Sequence, residues 1–334
     1  MPFDPKGPLL RRIVAFGLAL MSSAIVSAPA AAQKYPARTV SVIVPYPAGG
    51  SVDGVARIVV QKLNETMGPH FIVENRAGGA SGIVGATAVA RAAPDGYTLM
   101  VSASVHVINP LLYKNIPYDA VKDFTPITLL ADGPLIVSTT PSVKADNLKD
   151  FFEQVRREPH KFTFGTTSLG SASHLAIELL KRDAGLDTLV VPYKGTAPAL
   201  TDLVSGQIQL LADPMLSSLP LARAGKIKAL GLTSLKRVSA APEIPTVEES
   251  GVKGFEFVSW YGLWGPRGLP AEVNSSLQEA LAKVLALPEV KQRLGELGFG
   301  PIGSTSEHFA RYIDTEMTKY AAIIRDAKIG APEQ

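Results

Sequence analysis

The sequence predicts an α/β fold of two domains, each built on a mainly parallel sheet flanked by helices. Three observations predict it. Short β-rich runs alternate with longer amphipathic stretches, which is the pattern of sheets whose strands are joined by helical crossovers. The 334 residues exceed the roughly 100–200 that one domain commonly holds. A strand, a glycine-rich loop and a helix follow one another once in each half.

The elements can be justified in order. Residues 39–44 form a first strand, ended by Pro45. Residues 51–67 form a helix, because Val52, Val55, Ala56, Val59, Leu63 and Met67 share one face at the helical period. Gly68-Pro69 stops it. Residues 71–73 and 97–102 are strands around a Gly/Ala-rich helix over 81–91, suited to close packing. Further strands fall at 135–138, 162–164, 189–191, 208–212 and 227–232. Helices fall at 148–157 and 173–184, the second closed by Gly185. The last part is mostly helical, over 271–287 behind Pro270, 289–297 and 307–328.

The beginning of the chain predicts export. Lys6, Arg11 and Arg12 precede an apolar run over 13–26, and Ala30 and Ala32 supply an A-x-A cleavage pattern. The run is shorter than the ~20 apolar residues of a permanent span. The expectation is a signal peptide over 1–32 and a periplasmic mature chain; Arg11-Arg12 leaves the export route open. Loss of Asp4, Lys6, Arg11 and Arg12 lowers the net charge from +3 to +1, too balanced for a nucleic-acid-binding face. The chain has no cysteine, which excludes disulfides, thiol catalysis and Cys-ligated metal. No histidine pair has zinc-ligand spacing, and no cofactor is expected.

The two glycine loops carry the functional reading. The first runs Pro45-Tyr-Pro-Ala-Gly-Gly-Ser-Val-Asp53, with Ser51 placed to cap the helix; the second runs Phe164-Gly-Thr-Thr-Ser-Leu-Gly-Ser-Ala-Ser-His174. A helix start presents unpaired N–H groups and a partial positive charge. Glycines let an anion approach that backbone, so a carboxylate can be held without Arg or Lys. Nucleotide motifs do not fit: Gly165 and Gly170 have P-loop spacing, but Ser171-Ala172 follows where Lys-Ser/Thr is needed. Thr166 also spoils a nucleophile elbow around Ser168, although Ser168, Asp213 and His308 fall in the chain order of a hydrolase triad.

These residues and the runs after them resemble the Bug family, the periplasmic substrate-binding proteins of tripartite tricarboxylate transporters. The marks include Tyr46-Pro-Ala-Gly-Gly-Ser-Val-Asp-Gly-Val-Ala-Arg57, Val73-Glu-Asn-Arg-Ala-Gly-Gly79, Pro94-Asp-Gly-Tyr-Thr98, Val191-Pro-Tyr-Lys-Gly195 and Ile244-Pro-Thr-Val-Glu-Glu-Ser-Gly251. The resemblance extends from about Tyr35 to Gly330. It implies a two-lobed Venus flytrap, with 33–134 plus 256–334 as one lobe and 135–255 as the other. It implies no enzymatic activity, a small carboxylate in the interlobe cleft, and membrane permease subunits as partners of a monomer. Carried onto this chain, the ligand-binding residues are Tyr46, Ala48, Gly49, Gly50, Asp53, Thr167, Ser168, Gly170, Ser171, His174, Thr196 and Asp213.

Each of these has a plainer alternative. Asp53 and Arg57 can form an ordinary i,i+4 pair, while Asp53 can also orient loop donors. His174 can tie its own loop rather than meet a ligand. Asp213 can cap the helix beyond Pro214. Trp260 and Tyr261 can be core or cleft wall, with core the plainer reading. Two other functions stay open: a ligand-dependent sensor or adaptor, and a secreted hydrolase using Ser168.

Overall fold

The structure, a computed structural model, describes residues 35–78 and 80–330. The expected export segment over 1–32 lies outside the described residues. All elements below belong to the unit Arg38–Gln334.

β1 (Val40–Val44) lies between β2 (Phe71–Asn75) and β3 (Thr98–Ala103), parallel to both. β9 (Val258–Pro266) joins β3 antiparallel, and β4 (Phe124–Thr139) joins β9 antiparallel. β4 then leaves β9: its pairing with β9 ends at Pro134, and from Leu135 it pairs with β7 (Leu210–Pro214). β8 (Lys228–Leu232) also pairs with this second half. β5 (Thr163–Thr166) runs parallel to β7, and β6 (Leu189–Pro192) parallel to β5. β10 (Gly300–Pro301) pairs with the first half of β4.

The helices are α1 (Ser51–Met67), α2 (Ile83–Ala90), α3 (Val105–Leu112), α4 (Leu148–Arg157), α5 (Ala172–Ala184), α6 (Thr196–Ser205), α7 (Met215–Arg223), α8 (Ala271–Ala286), α9 (Pro288–Glu296) and α10 (Ser306–Asp326). Among the described residues none is long and apolar enough to cross a membrane.

The α/β class is as expected, but the sheet is mixed rather than mainly parallel. Parallel pairs join β1 to β2 and β3, and β5 to β6 and β7; every pair made by β4 or β9 is antiparallel. The strand expected over 135–138 is only the end of β4. Its first part, Phe-Thr-Pro-Ile-Thr-Leu-Leu-Ala-Asp-Gly-Pro134, contains residues that read as strand breakers. They sit where the pairing changes: a register shift directly follows Pro126, and Gly133-Pro134 stands where β4 exchanges β9 for β7. Gly133 is required there, because a Cβ would come within 2.5 Å of the Gly298 carbonyl.

Packing follows the apolar faces. α1 buries Val52, Val55, Ala56, Val59 and Leu63, each fully buried Val or Leu contributing about 1.5–3 kcal/mol; Met67 is only half-buried. Trp260, Trp264, Phe309 and Tyr320 form an aromatic core under α10. Trp260 Nε1 donates to the Tyr320 hydroxyl at 2.8 Å, and that hydroxyl donates to Glu316 Oε2 at 2.6 Å. α10 also packs on α5, where Arg182 faces Asp326 at 3.6 Å.

Candidate functional site

A cleft of about 710 Å³ opens at the carboxyl ends of β1, β2, β3, β5, β6 and β7. This is where open α/β sheets place their ligands, because the loops leaving the strands diverge there. Each of these strands passes into a helix that starts at the cleft: α1, α3, α5 and α6 line it with their first residues, and α2 and α7 reach it through their N-cap residues, Gly82 and Pro214. α5 alone of these carries a side-chain cap, with Ser171 Oγ accepting from His174 N. The others start behind Gly50, Gly82, Ser104, Gly195 and Pro214, with no side-chain cap. Ser51 therefore does not cap α1 as expected; it is the first helical residue, and the cap position falls to Gly50, which has no side chain to offer.

Asp53 organises the first loop from inside α1. Its Oδ2 accepts from Gly49 N and Arg57 Nε, both at 2.9 Å, and its Oδ1 accepts from Asn75 Nδ2 at 3.0 Å. Asn75 also donates to the Tyr46 carbonyl. Burial pushes the Asp53 carboxyl up, but the bonds from Arg57, Gly49 and Asn75 together hold it below the usual range. Arg57, half-exposed, is spent on Asp53 and Asn75. The Tyr46 ring reaches the cleft while its hydroxyl shares a hydrogen bond with Ser102 Oγ at 3.1 Å; burial pushes the phenol up.

The second loop spends its amides on itself. Thr167 N donates to Ser173 Oγ, Ser168 N to Ser171 Oγ, and Gly170 N to His174 Nδ1. His174 thus ties the loop, and burial, followed by nearby Lys181, pushes its imidazole down to about 4. Gly170 has φ +70° and packs against Leu112 and Ile108 of α3, where a Cβ would overlap Leu112 Cδ1.

Of the expected residues, Tyr46, Gly50, Asp53, Thr167, Ser168, Ser171 and Thr196 line the cleft. Ala48 and Gly49 lie on the exposed turn beside it, and Gly170, His174 and Asp213 are buried behind the lining. Asp213 does not cap α7. Its Oδ1 accepts from Thr196 Oγ1 and its Oδ2 from Ser218 Oγ, both at 3.1 Å, which joins α6 to α7. Burial pushes its carboxyl up to about 7, against the bonds from Ser218, Thr196 and Ser217. The Ser168–Asp213–His308 alignment is not assembled: His308 is exposed in the first turn of α10 and lines no part of the cleft.

Sequence reasoning missed Ser104, Lys194 and Tyr113, all of which line the cleft. Ser104 is fully buried and its Oγ has no hydrogen-bond partner. Its signal, a serine between a strand and a helix, was hidden because β-branched residues and Pro110 mask α3. Lys194 stands in the Val191–Gly195 run, which a search for neutral donors passes over. Trp260 is core as expected, but Tyr261, also buried, forms part of the cleft wall, and burial pushes its phenol up to about 12.

Residues 55–329 match the family described as the tripartite tricarboxylate transporter family receptor. Protein BugT of Bordetella pertussis is 32% identical over 320 residues, 95% of this chain and 98% of that one. The periplasmic binding protein BugD superposes with a TM-score of 0.79 at 36% identity, over 89% of this chain and 100% of that one. R. palustris Rpa4515 with adipate gives 0.83 at 35% identity, over 89% and 99%. The chain, by its matched length and by a fold that places helix starts around a single cleft, belongs to the tripartite tricarboxylate transporter receptor family of Bug-type solute-binding proteins.

Proposed function

We propose that this protein captures a small carboxylate in the cleft, outside the cytoplasmic membrane, and delivers it to membrane permease subunits without transforming it. The observation that carries this reading is the convergence of α1, α2, α3, α6 and α7 on one cleft with their first turns free of side-chain caps. Uncapped helix starts favour an anion through both their N–H groups and their dipoles. The adipate of Rpa4515 supports the ligand class. Tyr46, Gly50, Thr167, Ser168, Ser171 and Thr196 meet the ligand, while Ala48, Gly49, Asp53, Gly170, His174 and Asp213 hold the loops. Residues 33–134 with 256–334, and 135–255, move as two lobes. The change of partner along β4 between Pro134 and Leu135 supports a hinge there. An export segment over 1–32 delivers the chain to the periplasm.

The test is a thermal-shift screen of the purified protein against mono-, di- and tricarboxylates. A ligand at 100 times its Kd adds about 2.7 kcal/mol of stability, so one acid or a narrow set should raise the melting temperature. A flat screen, repeated on protein unfolded, dialysed and refolded to strip carried ligand, would rule out the carboxylate reading.

A further inference from the structure

The cleft is nearly devoid of net charge from its walls, with one exception. Among the described lining residues Asp53 is the sole acid, and its oxygens are taken by Gly49, Arg57 and Asn75. Lys194 is the sole base, and it has neither an ion pair nor a hydrogen bond to any described side chain. Its main chain is nevertheless fastened on both sides: Tyr193 N donates to the Thr166 carbonyl at 2.9 Å, and Gly195 N to the Thr167 carbonyl at 2.7 Å. A cation is thus presented to the cleft from a fixed backbone and given no counter-ion.

Its position also breaks a local rule. Lys194 directly precedes Gly195, the N-cap of α6, where the helix dipole is positive and a cation is unfavourable. Local rules broken without compensation mark functional sites; an anion bound here would be the compensation. On the β1–β3 side the arrangement differs. There the buried, unpartnered hydroxyl of Ser104 and the uncapped start of α1 offer neutral donors and no free cation.

We propose that Lys194 is the residue by which this cleft distinguishes diacids from monoacids. One carboxylate of a diacid is held by neutral donors around Ser104 and Gly50, and the second pairs with the Lys194 ammonium. This rests on the carboxylate reading above and adds to it a residue that decides specificity. A monoacid uses only the neutral donors, so it owes nothing to Lys194.

The experiment is calorimetric titration of wild type, Lys194→Met and Lys194→Arg with two matched pairs, adipate with hexanoate and succinate with butanoate. Lys194 is exposed, so the methionine variant should melt no lower than wild type without ligand. Wild type should prefer at least one diacid to its matched monoacid. Lys194→Met should weaken that diacid by roughly ten- to a hundredfold and change the monoacid by less than about threefold, and Lys194→Arg should keep the preference. Where a monoacid binds too weakly to measure, the diacid loss and its rescue by arginine decide. Equal losses for both acids would make Lys194 a general attractor and overturn the proposal, as would an unchanged diacid affinity. Wild type that binds diacids while Lys194→Met binds them equally well sinks this proposal alone; wild type that binds none of the four acids nor any in the screen sinks the carboxylate reading with it.

Discussion

At the scale of single residues, two buried polar groups show how environment decides role. Asp53 stays ionised because three donors meet its oxygens, and its work is to hold the Gly49–Gly50 turn. Gly50 has φ −81° and no atom nearer than 3.9 Å to an added Cβ, so Gly50→Val should fold normally. Its side chain would stand before the first turn of α1, and loss of at least tenfold in ligand affinity is expected by calorimetry; unchanged affinity would move the site elsewhere. His106 is the opposite case. It lies buried against Tyr118, Phe124 and Trp264. Neither ring nitrogen meets a partner at hydrogen-bonding geometry, and burial outweighs the opposing effect of the nearby Ala120 backbone. Burial pushes the imidazole down to about 3. Below about pH 6.5 the unfolded chain takes up a proton that the folded chain refuses, so His106 lowers stability as pH falls. His106→Phe should therefore track wild type at pH 8 apart from a constant offset, and gain on it by up to about 1.4 kcal/mol per pH unit below 6. Parallel pH profiles in urea unfolding would refute this.

At the scale of elements, β4 and α10 join what the glycine loops would otherwise leave as two separate sheets. β4 serves β9 and β10 with its first part and β7 and β8 with its last, so its burial is almost continuous. α10 is held to β9 through the Trp260–Tyr320–Glu316 chain. Tyr320→Phe would leave a buried indole N–H and a buried carboxylate oxygen without their partner, costing about 2–4 kcal/mol. The urea midpoint should fall with the slope unchanged; a loss below about 0.5 kcal/mol would mean that water replaces the hydroxyl.

At the scale of the whole molecule, the proposed lobes would close about the strands that cross between them, β4 near Pro134 and the segment leading into β9, where Phe257 N donates to the Thr233 carbonyl. Ligand should reduce the radius of gyration in small-angle scattering, as hinge closure does in binding proteins; an unchanged radius with ligand bound would argue against a hinge. Asp213 beneath Thr196 adds a pH dependence to the same event. It is neutral below about pH 7, and an ionised carboxylate behind the site would repel a bound anion. Affinity should fall as pH rises from 6 to 8, and Asp213→Asn should abolish that slope. Equal slopes in the two proteins would place the titrating group elsewhere.

Much of this molecule is legible in one sequence. The α/β class, the extents of α1, α4 and α8, the glycine stop of α5 and both glycine loops follow from period, capping chemistry and backbone freedom, which are properties of neighbours along the chain. Seven of the twelve expected site residues line the cleft, because helix starts behind strand ends are themselves local features. What only the tertiary structure decided are the long-range matters. Pro126 and Gly133-Pro134 look like breaks until β9, β7 and the Gly298 carbonyl lie beside them. His174 and Asp213 are expected beside a ligand, but that their polar atoms also meet Gly170, Thr196 and Ser218 is seen only in the folded chain. Ser104 and Lys194 acquire meaning because folding leaves both facing one cleft without a partner. A hydrogen bond to a residue far along the chain leaves no periodic trace, so which polar groups are spent and which remain free is settled only when the chain has closed on itself.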